Sequence, residues 1–190
     1  MSEISAIILA AGKSTRMGRQ KMLMPWGDTT VLGKVIHTLQ DAGMEDIMLV
    51  TNSDIMPSVS HLPIRVMLND DGDMLSSMKV GLRTQKLSAH ATLVCLGDQP
   101  QMEEGSVRSV CEAFAKSRSN LVVPSYQLRR GHPWLVARPL WEEILSLEAA
   151  SLREFLNTHT NEIEYVNLET PTILQDIDTP EDYLKYKPSL

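Results

Sequence analysis

The sequence predicts an α/β fold in which a mostly parallel sheet is covered by helices on both faces. Short apolar runs alternate with amphipathic helical stretches along the chain, and the apolar runs are continuous instead of alternating with polar residues. Continuous apolar runs are typical of parallel strands that are buried on both faces. In such sheets ligands bind beyond the carboxyl ends of the strands, so we expect the functional residues in the loops that follow them.

The predicted elements follow one another in regular alternation. The strands are AIILA, DIMLVTN, IRVML, ATLVCLGD, NLVVPS, PWLVA and IEYVNL. Helices are predicted over TVLGKVIHTLQDAG, DMLSSMKVGLRTQ, residues 103–116, two stretches within residues 140–159, and TPEDYLKY. Apolar spacings of three and four in the first two helices assign these side chains to the core: Val31, Val35, Ile36, Leu39, Met74, Met78 and Leu82.

Composition and charge narrow the class of protein. A chain of 190 residues, 43% of them hydrophobic, can bury one sizeable core, and without an internal linker we expect one domain over residues 1–190. A net charge of -6 argues against a nucleic-acid partner or an anionic membrane surface. The apolar run at residues 4–11 is too short to span a bilayer. Cys95 and Cys111 have no paired spacing for zinc or a disulfide, so a reducing cytoplasm is expected.

The stretch LAAGKSTRMGRQK, residues 9–21, leaves the carboxyl end of the first predicted strand and concentrates positive charge. Its last ten residues hold two glycines, no acidic side chain and four cations: Lys13, Arg16, Arg19 and Lys21. In a loop that follows the carboxyl end of a strand, backbone N–H groups and cationic side chains together can bind a polyphosphate. The alternative is a solvated basic loop without a ligand.

The glycine spacing in this loop excludes two familiar phosphate-binding motifs. A dinucleotide-binding G-x-G-x-x-G is absent because the next glycine after Gly12 is Gly18. A Walker A loop is absent because five residues separate these glycines and Arg19 follows the second. The loop is therefore expected to bind phosphate in another way.

Carboxylates occur at two further places near predicted strand ends. Asp98 follows the apolar strand of TLVCLGDQP, where an aspartate is either an N-cap or turn residue or, beside a triphosphate, a ligand for Mg²⁺. In QDIDTPEDYL, Thr179 is expected to cap the last helix. The cap does not explain Asp176 and Asp178, and either carboxylate could complete a metal site with Asp98.

Five segments occur in order over nearly the whole chain: LAAGKSTRMGRQK, SSMKVGL, GDQP, RRGHPWLV and DIDTPEDY. Together they resemble the nucleotidyltransferases that act on the molybdenum cofactor, the MobA-like nucleotidyltransferase family. The resemblance implies a single-domain Rossmann-like three-layer sandwich of the nucleotide-diphospho-sugar transferase type. The Gly-His-Pro element and the Ala-Ala-Gly start resemble the cytidylyl branch, which implies a Mg²⁺-dependent enzyme, with Mn²⁺ as a substitute. Such an enzyme moves CMP from CTP onto the phosphate of molybdopterin or molybdenum cofactor and releases pyrophosphate.

The resemblance also implies roles for individual residues. The residues implied to bind the nucleotide are Leu9, Ala10, Ala11, Gly12, Lys13, Arg16, Lys21, Ser76, Ser77 and Asp98. Arg16, Lys21 and Asp98 are implied to be catalytic, and Asp98 and Asp178 to be the metal ligands. Ser76 and Ser77 stand at a helix start, so they either cap that helix or touch the base or ribose.

The implied acceptor contacts come from three segments: Gln99, Pro100, Gly131, His132, Pro133 and Arg153. Without the resemblance, His132 would be interpreted as a turn histidine bonded to backbone. The chain departs from its relatives in LEAASLREFL, which keeps Arg153 but lacks the glycine of the acidic-x-Gly-Ala-Arg element. Gly97 and Trp134 stand where relatives often have alanine and valine.

The implied partners are CTP, a molybdopterin-type acceptor and, transiently, a molybdoenzyme or its chaperone. An acceptor phosphate is already ionised near neutral pH, so the reaction needs positioning and charge stabilisation and no histidine as general base. Three alternatives stay open: guanylyl transfer, cytidylyl transfer to another phosphorylated acceptor, and a binder that holds nucleotide or cofactor without turnover.

Overall fold

The computed structural model describes residues 3–12, 14–117, 119–148 and 151–188. Its strands are β1 (Ile4–Ala10), β2 (Pro25–Trp26), β3 (Thr29–Thr30), β4 (Ile47–Thr51), β5 (Arg65–Leu68), β6 (Ala91–Leu96), β7 (Leu121–Tyr126), β8 (Arg129–Arg130), β9 (Trp134–Ala137) and β10 (Ile163–Asn167). Its helices are α1 (Val31–Asp41), α2 (Met56–Val59), α3 (Met74–Arg83), α4 (Glu104–Ser117), α5 (Trp141–Ser146), α6 (Leu152–Thr158) and α7 (Pro180–Tyr186). All seven predicted strands are present, as are the predicted helices.

The main sheet has the strand order β10-β7-β9-β6-β1-β4-β5, with β8 paired to β7. The neighbours β6, β1, β4 and β5 are mutually parallel, as are β7 and β10. In contrast, β9 runs antiparallel to both β6 and β7. The sheet is therefore mostly parallel but mixed, and β2 and β3 form a separate small hairpin.

Helices cover both faces of this sheet, which confirms the predicted fold class. Every residue of β1, β4 and β6 is buried, as continuous apolar runs require. Ala6, Ile8 and Ala10 of β1 belong to one hydrophobic cluster with residues of α1 and α4, whereas Ile7 and Leu9 belong to a second cluster with residues of α3, α5 and α6. The alternation of side chains along one strand thus joins two hydrophobic layers.

One predicted core residue lies elsewhere. Met78 and Leu82 lie on the buried face of α3, but Met74 is 46% exposed. Met74 is the first residue of α3, and it lines an open cavity together with Leu96 and Leu128. Helical spacing identified the correct face of α3 but not the point at which that face passes the edge of the sheet.

Both cysteines lie inside the fold. Cys95 and Cys111 are buried and unpaired, and burial raises the pKa of the Cys111 thiol to about 11. Neither thiol is therefore ionised near neutral pH. None of the helices within the described ranges combines the length and the apolar character that a membrane span requires.

Candidate active site

The basic loop after β1 and two carboxylates meet at one edge of the sheet. The Lys21 Nζ lies 2.5 Å from Asp98 Oδ2 and 3.0 Å from Asp178 Oδ1. Arg16 lies 3.0 Å from the other oxygen of Asp178. The chain between β1 and β2 makes this possible through two 3-10 turns, Thr15–Met17 and Lys21–Leu23, which bring Lys21 back over the end of β6. The structure thus brings all the predicted catalytic residues and both predicted metal ligands into one cluster.

The Lys21 ammonium is held in its charged form. Its side chain is only 10% exposed, and burial alone would lower the pKa. The charges and hydrogen bonds of Asp98 and Asp178 outweigh burial, so the pKa of Lys21 is raised above its ordinary value. The cluster is therefore a set of ion pairs in which two cations face two carboxylates.

Asp176 and Asp178 have different surroundings, which bears on the choice of metal ligand. The Asp178 carboxylate converges with that of Asp98 on Lys21. Asp176 instead accepts a 2.5 Å hydrogen bond from Gln99 Nε2. Burial, followed by the charge of Asp98, raises the pKa of Asp176 to about 6. This geometry favours Asp178 over Asp176 as the second candidate metal ligand beside Asp98.

The donor set of this pair fits a hard divalent cation. Two carboxylates already converge on one cation, the Lys21 ammonium, and carboxylate oxygens are ligands that Mg²⁺ prefers. Within the described ranges, no group of three or more His, Cys, Asp or Glu side chains could hold a metal ion. The remaining ligands would have to be water or substrate oxygens, as is usual for Mg²⁺ beside phosphates.

The predicted nucleotide-binding residues begin at the end of β1. Leu9, Ala10 and Ala11 are buried, and the Asn52 Nδ2 donates to the Ala11 carbonyl at 3.1 Å. Around Gly12, no described atom lies within 4 Å of the place where a β-carbon would stand, so its backbone faces open space. Lys13 lies outside the described residues. Sequence reasoning missed Asn52, although a polar residue that ends the buried run DIMLVTN is a detectable signal.

Ser76 and Ser77 are not the caps of α3. Asp73 is the cap, and its carboxylate accepts the Ser76 N–H at 2.8 Å. The two serine hydroxyls accept hydrogen bonds from Asn69 Nδ2, at 2.7 Å and 2.9 Å, and donate to the Asp73 carbonyl. Ser76 is half-buried and Ser77 is buried. The capping alternative is therefore wrong, and contact with a nucleotide stays a prediction.

The predicted acceptor residues divide into two groups. Gly131, His132 and Arg153 line one open cavity of about 590 Å³, together with Asp176 and Trp134. This cavity lies beyond Leu96, the last residue of β6.

The other three predicted acceptor residues, Gln99, Pro100 and Pro133, are buried. The Gln99 amide is directed at Asp176, and Pro100 borders a different cavity, beside Trp26 and Gln101. The structure therefore gathers half of the predicted acceptor set around one space.

The segment around His132 is tightly packed. A β-carbon at Gly131 would lie 2.4 Å from the Ile173 carbonyl oxygen, so only glycine fits there without movement. The His132 N–H donates to that same carbonyl at 3.0 Å, which agrees with the simple turn interpretation for its backbone. Burial lowers the pKa of the His132 imidazole to about 4, so the ring is neutral near pH 7.

Arg19 and Arg130, two arginines outside the predicted catalytic set, differ in the contacts that they make. Arg19 is exposed, and it makes no ion pair with any residue that the structure describes. Arg130, which sequence reasoning missed, donates to three neutral oxygens, on Tyr165, Asn157 and Thr160. Arg130 thereby ties β8 to the end of α6, the helix that carries Arg153.

The chain is similar to known proteins over nearly its whole length. The molybdenum cofactor cytidylyltransferase of Escherichia coli (strain K12) is 30% identical over 98% of this chain and 97% of its own length. The crystal structure of Rv0371C in complex with manganese, from Mycobacterium tuberculosis H37Rv, superposes with a TM-score of 0.84 and 24% identity, covering 99% of this chain and 100% of that chain.

A nucleotidyl transferase from Methanothermobacter superposes with a TM-score of 0.83 and 22% identity, covering 98% of this chain and 97% of that chain. These two solved structures support the fold that the sequence predicts. The family described as MobA-like NTP transferase domain matches residues 6–163. This chain is therefore a nucleotidyltransferase and belongs to the MobA-like NTP transferase family.

Proposed function

We propose that this chain transfers CMP from CTP to the phosphate of a molybdopterin-type acceptor and releases pyrophosphate. The convergence of Lys21 and Arg16 with Asp98 and Asp178, beside the cavity lined by His132, carries this proposal. The full-length similarity to a molybdenum cofactor cytidylyltransferase supports the choice of base and acceptor. We propose further that residues 1–190 act as one catalytic domain, in the cytoplasm, where CTP is available.

The proposed reaction exchanges one phosphoanhydride for another. An oxygen of the acceptor phosphate attacks the α-phosphorus of CTP, and the bond to the β-phosphate breaks. Pyrophosphate leaves with the electron pair, and no proton has to be moved because the acceptor phosphate is ionised. Arg16 and Lys21 neutralise the charge that develops on the leaving pyrophosphate. Mg²⁺ held by Asp98 and Asp178, or Mn²⁺ in its place, would polarise the α-phosphate.

The remaining predicted contacts have two kinds of role in this proposal. The backbone of residues 9–13, with Ser76 and Ser77, would hold the nucleotide. Gly131, His132 and Arg153 line the cavity in which the acceptor would lie. A neutral His132 can donate one hydrogen bond to the acceptor without adding charge. Gln99, Pro100 and Pro133 are buried, so we propose that they support this cavity from within the fold.

The test is pyrophosphate release by the full chain with CTP and Mg²⁺, with and without a molybdopterin-type acceptor. We expect release only with the acceptor, and we expect Asp98→Asn to abolish it because the charge that anchors the metal is lost. Asp178 still pairs with Lys21 in this variant, so the melting temperature should change little. Release with a different phosphorylated acceptor only, or nucleotide binding without release, would contradict the proposal. A transient contact with a molybdoenzyme or its chaperone would follow product formation.

A further inference from the structure

Lys21 stands in the place where the two candidate metal ligands converge. Its ammonium contacts Asp98 at 2.5 Å and Asp178 at 3.0 Å, and Arg16 pairs with the second oxygen of Asp178. Both oxygens of Asp178 are therefore engaged by cations of the protein itself. The side chain of Asp98 is 15% exposed and that of Asp178 is 35% exposed, so the pair is partly buried and Asp98 is its more enclosed member.

We propose that Lys21 is a built-in counter-ion of the Asp98–Asp178 pair, so that a divalent metal binds there more tightly once a nucleotide triphosphate has drawn Lys21 away. This inference rests on the proposed function, because it takes the metal ligands and the phosphate-binding lysine from it. It adds a coupling between the two binding events, in which metal and nucleotide strengthen one another's binding.

Electrostatics supplies the reason for this coupling. An ammonium and a divalent cation repel strongly at contact distance in a partly buried site, so both do not share the same carboxylate oxygens. Moving Lys21 away from both carboxylates without another anion would leave a poorly solvated charge. A triphosphate provides that anion next to the loop and frees the carboxylates at the same time. By reciprocity, metal in the pair must favour nucleotide binding to the same degree.

Lys21, and not Arg16, is the residue that controls this exchange. Arg16 is 69% exposed on its side chain, so it can leave Asp178 for water at little cost. Lys21 is held by its backbone, whose N–H donates to Ser14 Oγ at 3.3 Å and whose carbonyl accepts from the Met24 N–H at 3.2 Å. Only the side chain of Lys21 can move without unfolding this turn.

The experiment measures Mn²⁺ binding to the full chain without nucleotide, by electron paramagnetic resonance, in the natural sequence, Lys21→Met and Lys116→Met. Lys116 is exposed on α4 and pairs only with Glu112 among the described residues, so its variant makes the same charge change away from the site. We expect Lys21→Met to bind Mn²⁺ about tenfold more tightly than the natural sequence, and Lys116→Met to bind as the natural sequence does.

A second variant, Lys21→Gln, also removes the charge but keeps a hydrogen-bond donor between the carboxylates. It serves if Lys21→Met fails to fold, and thermal melting reports whether each variant is folded. It should also bind Mn²⁺ more tightly than the natural sequence. Unchanged Mn²⁺ affinity in a folded Lys21 variant would overturn the inference, even if CMP transfer is observed. Tighter Mn²⁺ binding by the Lys21 variants, together with no CMP transfer by the natural sequence, would support the counter-ion while refuting the proposed function.

Discussion

The Gln99 Nε2 donates to Asp176 Oδ1 at 2.5 Å and joins the two segments that carry the candidate metal ligands. Gln99 directly follows Asp98, and Asp176 stands two residues before Asp178. The Ile177 N–H adds a second link by donating to the Asp98 carbonyl at 2.9 Å. The separation of the two carboxylates is therefore set by the fold and not by Lys21 alone.

Gln99→Ala should weaken both the site and the fold. The change leaves the half-buried Asp176 without its donor, which costs about 1–3 kcal/mol in the free energy of unfolding. We also expect lower turnover, because the segment before Asp178 loses an anchor. Urea unfolding and pyrophosphate release measure the two effects.

Gln101→Ala is the matched control, since within the described residues the Gln101 Nε2 has no hydrogen-bond partner to lose. It should leave turnover unchanged. Equal behaviour of the two variants would show that the Gln99–Asp176 bond does not support the site.

The strands and longer helices could be predicted because each has to bury a continuous run or a stripe of apolar residues. The two-residue strands β2, β3 and β8 and the single turn α2 are too short to show a period, so the sequence does not reveal them. The apolar pattern of PWLVA does not reveal the direction of β9, because the parallel strands of the sheet have the same pattern. The connection between β7 and β9 is too short for the crossover that a parallel pair needs, so its length is the feature that indicates an antiparallel β9.

The candidate site was partly predictable for a different reason. Lys21 and Asp98 stand out because charged residues directly beyond buried strands belong to the ligand edge of the sheet. Their direct contact, across 77 positions of sequence, depends on how the loop folds back and is not encoded in spacing. Arg130 reaches Asn157 on α6 through a long side chain, and Asn69 bonds Ser76 across the loop before α3, so no helix or strand period marks either residue.

Three cations of the loop after β1 should differ in importance. Arg16→Met and Lys21→Met each remove a charge from the cluster, and we expect kcat/KM for CTP to fall by the equivalent of about 2 kcal/mol or more. Arg19→Met should have a small effect, because Arg19 is exposed and makes no ion pair in the described part of the chain. Equal losses in all three variants would indicate a diffuse basic patch and no defined cradle.

His159 should make stability depend on pH. Its Nε2 lies 2.8 Å from Glu143 Oε1 and its Nδ1 3.3 Å from Glu162, and the hydrogen bond with Glu143 is the main reason that the pKa of His159 is raised. A raised pKa means that the stabilisation is fully present below the unfolded-state pKa of about 6.5 and is lost as pH rises through the folded-state value.

The measurement is the difference in unfolding free energy between the natural sequence and His159→Gln. We expect this difference to be larger at about pH 6 than at about pH 9, because the contribution of the charged imidazole is lost as pH rises through the raised folded-state pKa. A difference that does not change with pH would show that the charge of His159 contributes nothing.

Ala11 should contribute to the choice of base. Ala11 is buried at the end of β1, next to the backbone that would approach the nucleotide, and its carbonyl is fixed by Asn52. A β-carbon there would crowd a purine more than a pyrimidine. We expect Ala11→Gly to gain GTP turnover while keeping CTP turnover. No gain with GTP would leave base selectivity intact but remove this explanation of it.

The most direct measurement compares CTP and GTP, each labelled at the α-phosphate, as donors to a molybdopterin-type acceptor with Mg²⁺. We expect the label from CTP to appear on the acceptor together with an equal amount of pyrophosphate, and kcat/KM for CTP to exceed that for GTP by about 100-fold or more. Equal use of GTP, or label that never reaches the acceptor, would contradict cytidylyl transfer as the function of this protein.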